Sequence, residues 1–338
     1  MKKWAILILL VFLVCLPLFV QAKYLLHLLI MVGIWSIAAS SLNLILGYTG
    51  QASLGHAAFF GIGAYASALL MIKVGLPFWV ALPSASFVAA LFGFLIGLPA
   101  LRTRGSYFAI ATLGFNLIVT IIIDHWDGLT QGGAGISGIP KPEPIYLPFL
   151  GKVVFTSMAG QYYLVLFFLT LTLFLIYRIV NSPVGKTCMA IRGGEALAES
   201  LGVNPMWTKL VSFTTSSFFA GLAGALYASY HGFISPDTSN FHVGFDLLIY
   251  LLVGGVATLP GPIIGAIIMT IIPETLQFLL EYRIIFYGSF LIVVVIFLPR
   301  GLVGLWRSSI WPRIRRPKIL TQNFDLTNNH EGLNIQDK

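Results

Sequence analysis

The sequence predicts an all-α integral membrane protein, a polytopic bundle of about 8–10 transmembrane helices. Three observations lead there. The chain has 338 residues, of which 57% are hydrophobic and only 9% charged, against about 25% charged in an ordinary soluble domain. Its mean hydropathy is +0.90. Apolar runs of about 17–25 residues, the length a spanning helix needs, recur along its whole length. These runs lack the apolar–polar alternation of barrel strands, which excludes a closed barrel. Helices are then the form that satisfies every backbone polar group in lipid.

Taken in order, the first candidate span is 4–20. It ends at Val20-Gln21-Ala22, which resembles a signal-peptide cleavage site. Retention is the expectation, because a polytopic chain can use its first helix as its own targeting signal. Spans follow at 24–46, 53–72, 78–100 and 106–123. The stretch 124–161 carries Gly132, Gly133, Gly135, Gly138, Pro140, Pro142, Pro144 and Pro148, which predicts turns and polyproline II rather than a folded domain. Spans 162–180 and 210–230 flank the segment 181–209, a long charge-bearing run with helix-forming composition. The run 245–258 is short for a full crossing; it either crosses or forms half of a re-entrant hairpin with 263–273, which would reduce the crossings from ten to eight. Candidates 263–280 and 284–299 complete the set. The organisation is thus an N-terminal hydrophobic segment 1–23, a transmembrane domain 24–307, and a tail 308–338, basic and then polar, that is expected to be disordered.

The net charge of +8 could suggest nucleic acid, but its distribution points to membrane orientation. With ten crossings and the N-terminus inside, the outside loops hold only Lys23, Lys73, Lys141, Lys152 and Arg283 of the 20 Lys and Arg. All the others lie inside, from Lys2 and Lys3 through Arg102, Arg104, Arg178, Lys186, Arg192 and Lys209 to the basic tail, a clear positive-inside bias. Both termini and the segment 181–209 are therefore expected in the cytoplasm. The tail's cations suit anionic lipid headgroups. Cys15 and Cys188 fall in different compartments, so neither a disulfide nor a metal site is implied.

Several motifs fail on context. Gly133-Ala134-Gly135-Ile136-Ser137-Gly138 is a literal G-x-G-x-x-G, but no strand and helix N-terminus frame it, as dinucleotide binding requires. Gly185-Lys186-Thr187 looks like the end of a phosphate-binding loop, but Val180 stands where that loop needs its first glycine. No cofactor is implied for this chain, and any ATP hydrolysis must come from another polypeptide. The histidines lack metal-ligand spacing. Among these, His56 follows the glycine-rich run 47–55; such glycines suit tight helix packing with a hydrogen-bonded histidine, and broken helices of that kind also form substrate sites in transporters. Asp246 and Glu274 are the candidate charges within spans; they suit interfacial depth better than a buried acidic relay.

Several stretches stand in a telling order: 41–59 (SLNLILGYTGQASLGHAAF), 105–113 (GSYFAIATL), the Ser182-Pro183-Val184-Gly185, Ala190-Ile191-Arg192 and 198–202 (AESLG) elements, 219–227 (FAGLAGALY), and the glycine motif around Gly254-Gly255, 259–262 (LPGP) and Gly265-Ala266. Together they resemble the permeases of branched-chain amino acid ABC importers. The resemblance covers about 24–307 and is closest to the LivM type. It implies one of two membrane subunits, paired with a LivH-like permease, driven by two cytoplasmic ATPase subunits and supplied by an extracytoplasmic binding protein, in a bacterial-type inner membrane.

In that frame the segment 181–209 is expected to dock on an ATPase through Arg192, Glu195, Ala198, Glu199, Leu201 and Gly202. Gly193 and Gly194 each weaken a helix by about 1 kcal/mol, so the coupling helix is expected over 195–204, with Pro205 as its stop. Glu195 and Glu199 share a face at i,i+4, with Ala196 and Ser200 beside it. A zwitterion with an aliphatic side chain needs polar groups and an apolar wall. Asn43, Gln51, Ser53, His56, Thr112 and Asn116 are the candidate pathway residues. Urea or short amides are alternative cargoes. A stand-alone ion-coupled carrier and a passive channel are alternatives of another class.

Overall fold

The computed structural model describes residues 22–103, 105–147 and 151–275, together with 11, 13–17, 288 and 301–304. The expected spans 4–20 and 284–299 and the tail 308–338 lie wholly or largely outside the described residues.

Helix α1 (Lys23–Leu42) passes directly into a π-helix (Asn43–Tyr48), and together they form one apolar rod. Its serines Ser36, Ser40 and Ser41 are buried. The chain then leaves helical geometry and resumes it in α2 (His56–Ile72), three residues later than the expected start at 53. Two glycines explain the delay. Gly50 adopts φ +78, a left-handed conformation that a side chain resists. A Cβ on Gly55 would stand 2.5 Å from the Thr112 carbonyl oxygen. Helices α3 (Phe78–Ala100) and α4 (Ser106–His125) match the expected spans closely.

Beyond α4 the chain makes one helical turn, Asp127–Thr130, whose carbonyls at Gly128 and Leu129 accept from Lys73 Nζ. Two short antiparallel ribbons follow. Strand β1 (Ile136–Ser137) pairs with β4 (Phe233–Ile234), and β2 (Ile145–Leu147) with β3 (Gly151–Val153). The Gly- and Pro-rich stretch is thus a strap across the end of the helices.

Helix α5 (Met158–Asn181) leads into two short helices, α6 (Pro183–Gly193) and α7 (Glu195–Ser200). Helix α8 (Pro205–His231) then runs through the middle of the molecule, packed on α1, α2 and α3. Pro205 starts this helix instead of stopping the one before. It occupies N1, where its missing N–H costs nothing, and Asn204 caps it by accepting from the Trp207 N–H. The central packing is backbone against backbone: a Cβ on Gly224 would lie 1.9 Å from Phe60 O, and one on Gly63 would lie 2.2 Å from Gly221 O. In a bilayer, such close approach gains dispersion where no hydrophobic force pulls helices together.

Helices α9 (Phe241–Gly254) and α10 (Gly261–Thr275) return on each other through the turn 255–260. Gly254 abuts Gly261 and Gly265 abuts Tyr250, an antiparallel register. The 14 residues of α9 rise about 21 Å, less than the ~30 Å hydrocarbon core. The turn begins at Gly255, inside the run 245–258 that sequence alone reads as one element. The chain is a polytopic helical membrane protein, with five described helices long and apolar enough to cross.

Candidate functional site

The segment after α5 is built by local signals. Ser182 caps α6 by accepting from the Gly185 N–H, and Pro183 takes N1. The extended backbone of Gly194 (φ 172, ψ 106) separates α6 from α7. The helix expected to begin at Glu195 does begin there, but 183–193 is helical as well. It also ends at Ser200, short of the expected 204. Gly202 (φ +85) gives its N–H to Glu199 O, and Val203 gives its own to Ala198 O. That is a Schellman termination, and it explains Gly202 as a helix stop.

The two faces of this segment differ sharply. Inward, Lys209 Nζ of α8 meets Glu195 Oε2 at 2.7 Å, with Lys209 only 2% exposed and Glu195 28%. The Arg192 guanidinium donates to the carbonyl of Gly47 in the π-helix, and its stem lies against Gly50. Ala198 is buried. Cys188 is buried beside Thr49 and Ser212; burial pushes its thiol up from the ordinary value, against the pull of those hydroxyls. Outward, Leu197 (68%) and Leu201 (77%) stand in the open with Glu199. An aspartate at Ala198 would therefore disturb packing, whereas Leu197 and Leu201 report on a surface.

The candidate pathway residues separate into spent and unspent groups. Asn43 Oδ1 accepts from the Ala257 N–H at 2.8 Å, and its Nδ2 donates to Thr258 O at 2.7 Å. Thr112 Oγ1 accepts from the Leu54 N–H at 3.1 Å and donates to Ala109 O at 2.9 Å. Ser216 Oγ donates to Ser41 O at 2.5 Å and lies 2.9 Å from His56 Nε2. With its single proton committed to Ser41, that serine accepts from His56, so Nε2 carries the imidazole proton and Nδ1 is the acceptor. The His56 Nδ1, the Ser53 Oγ and both amide atoms of Asn116 are buried without a protein partner. Gln51 is half-buried, and its backbone N–H donates to Ile45 O. Thr112, Asn116 and Thr120 line the inner side of α4, and Thr120 donates to Ser239 O at 2.9 Å. Thr112 ties this stripe to the 53–55 break, while Asn43 belongs to the α9–α10 turn.

Sequence reasoning missed Lys209, Ser212 and Ser216. A lysine opening an apolar span looks interfacial, and nothing in spacing links it to Glu195. Ser212 and Ser216, four apart in an apolar helix, were a legible signal: the first bonds Thr49 Oγ1 at 2.7 Å and the second His56. A groove of about 260 Å³ between α3, α5 and α8 is lined by Trp79, Phe168, Phe218 and Phe219, with Thr172 as its one hydroxyl. It does not suit a zwitterion. Among the described residues no three His, Cys, Asp or Glu are grouped for a metal ion.

The family described as the permease component of the branched-chain amino acid transport system matches residues 24–297. The chain is 36% identical to the high-affinity branched-chain amino acid transport permease LivM of Escherichia coli, over 82% of this chain and 69% of that protein. It is 25% identical to the E. coli permease LivH, over 80% of this chain and 91% of that one. A probable LivM of Methanocaldococcus jannaschii is 22% identical over 80% of this chain and 90% of its own length. No solved structure matches. With its polytopic helical fold and this match across most of its length, the chain belongs to the branched-chain amino acid transport permease family, the membrane components of ABC importers.

Proposed function

We propose that this permease carries branched-chain, hydrophobic amino acids into the cell across a bacterial-type inner membrane. A LivH-like second permease completes the pathway, an extracytoplasmic binding protein delivers the substrate, and two cytoplasmic ATPase subunits drive transport, one of them docking on α6 and α7. The observation that carries the docking is the two-faced segment: an ion-paired, buried inner side under two exposed leucines. Exposed apolar side chains on an otherwise anchored helix fit a partner surface better than water. The positive-inside bias supports placing this end in the cytoplasm. The unspent Asn116 amide offers one donor pair and one acceptor to a zwitterion's carboxylate and ammonium.

The test uses the chain co-expressed with its second permease and its ATPases. Leu197→Asp with Leu201→Asp should abolish ATPase co-purification and uptake of leucine, isoleucine and valine, yet leave the thermal stability of the permease within about 0.5 kcal/mol, since both positions are exposed. Unchanged uptake and co-purification would remove the docking. Uptake of urea or short amides in place of leucine by the unsubstituted transporter would change the substrate assignment.

A further inference from the structure

Asn43 has the composition of a pathway residue and the geometry of a clamp. Its amide spends Oδ1 on the Ala257 N–H and Nδ2 on the Thr258 carbonyl, holding two successive residues of the 255–260 turn. Ala257 sits at φ +58, a left-handed backbone that a residue with a Cβ keeps only where its surroundings impose it. Gly47 makes room for the clamp: a Cβ there would lie 1.9 Å from Asn43 Oδ1 and 2.8 Å from the Ala257 nitrogen. The carbonyl of that same Gly47 is the acceptor for Arg192. A continuous set of direct contacts therefore runs from Arg192 on α6, through Gly47 and Asn43, to Ala257 and Thr258 between α9 and α10. It passes through a π-helix, a widened turn that recurs at functional sites.

We infer that Asn43 is a positioning residue that makes the 255–260 turn follow the α6–α7 segment, so that displacement of the segment reaches the α9–α10 hairpin. The inference rests on ATPases docking at that segment. A clamp that only stabilised the fold would leave the turn indifferent to nucleotide.

The experiment uses the whole transporter in a Cys15→Ser background. The native Cys188, buried on the inner side of α6, reports on that helix by its maleimide labelling rate. In a second chain with Cys188→Ser, Leu259→Cys reports on the turn. Trapping the ATPases with vanadate should change both rates. Adding Asn43→Ala should abolish the change at residue 259, keep the change at Cys188, and lower substrate transported per ATP about tenfold, within the span seen when coupling elements are altered. Asn43→Leu is close to the amide in shape and makes neither bond, so it should give the same losses; it serves as the test should the alanine chain not accumulate. If the residue-259 response survives these substitutions, or transport per ATP is unchanged, the inference fails and the docking stands. If trapping moves neither reporter in the unsubstituted clamp, the docking reading beneath it fails.

Discussion

Removing Glu195 should cost more than removing its partner. Lys209 is 2% exposed and its Nζ lies 2.7 Å from Glu195 Oε2, while Glu195 is 28% exposed. Glu195→Ala strands an ammonium away from water, and breaking a buried pair from one side costs about 3–5 kcal/mol. The partial wetting of Glu195 places this pair at the lower end, about 3 kcal/mol, or about 100-fold in the balance between docked and undocked α7. Lys209→Met leaves a carboxylate that can turn toward solvent, so its cost should fall near the exposed-pair range of about 0–1 kcal/mol. The double substitution should recover most of the Glu195→Ala loss. Thermal unfolding in detergent, with limited proteolysis across 193–203, reads the three variants as a double-mutant cycle. Equal losses for the two single variants, or an interaction energy below about 0.5 kcal/mol, would refute the claim that this ion pair seats the segment.

Three further variants have expected outcomes. Gly224→Ala places a methyl 1.9 Å from a backbone oxygen that cannot rotate away, so it should destabilise by about 1–3 kcal/mol. Gly114→Ala meets nothing within 4 Å and should be neutral or gain up to about 1 kcal/mol; similar thermal-aggregation temperatures for the two would sink the packing account. Asn116→Leu should hold or raise stability, because it deletes two buried polar atoms that have no protein partner. The same variant should lose uptake, and normal transport would take Asn116 out of the pathway.

Spans whose ends coincide with a change in hydropathy were legible in the sequence. Helices α3 and α4 begin and end within a few residues of their apolar runs. Elements whose ends are set by close backbone contact were not. The run 53–72 continues through Ser53-Leu54-Gly55, and only the approach of Thr112 O to Gly55 shows why α2 waits until His56. The run 245–258 hides the start of a turn because Val256 and Ala257 are as apolar as the helix before them. The Gly193-Gly194 break was legible from propensity, but the helix preceding it was not, since Ser182 and Pro183 supply its start from outside the weak pair. Lys209 was opaque for a different reason: its pairing with Glu195 depends on how α7 folds back over α8, which only the Gly202 termination determines.

Polarity inside a membrane span is therefore a poor guide to a pathway until each atom's bonds have been assigned. Lipid offers no water to replace a lost partner, so every break in a helix draws nearby side chains into repairing it. The break after the π-helix and the turn 255–260 release backbone groups at neighbouring places, and Asn43 answers the second of them with both ends of its amide. Thr112 serves Leu54 N–H in the same way. Once those repairs are subtracted, the six candidates reorder. Asn43 and Thr112 spend their polar atoms on architecture, and His56 keeps one free nitrogen. Ser53 and Asn116 remain with polar atoms that no helix needs. Natural cores rarely leave both ends of an amide unpaired when an apolar residue of the same shape would serve. On the pathway proposed above, Asn116 is the candidate with both amide atoms to offer a polar cargo, and that ranking was invisible while all six were counted only as polar residues in apolar runs.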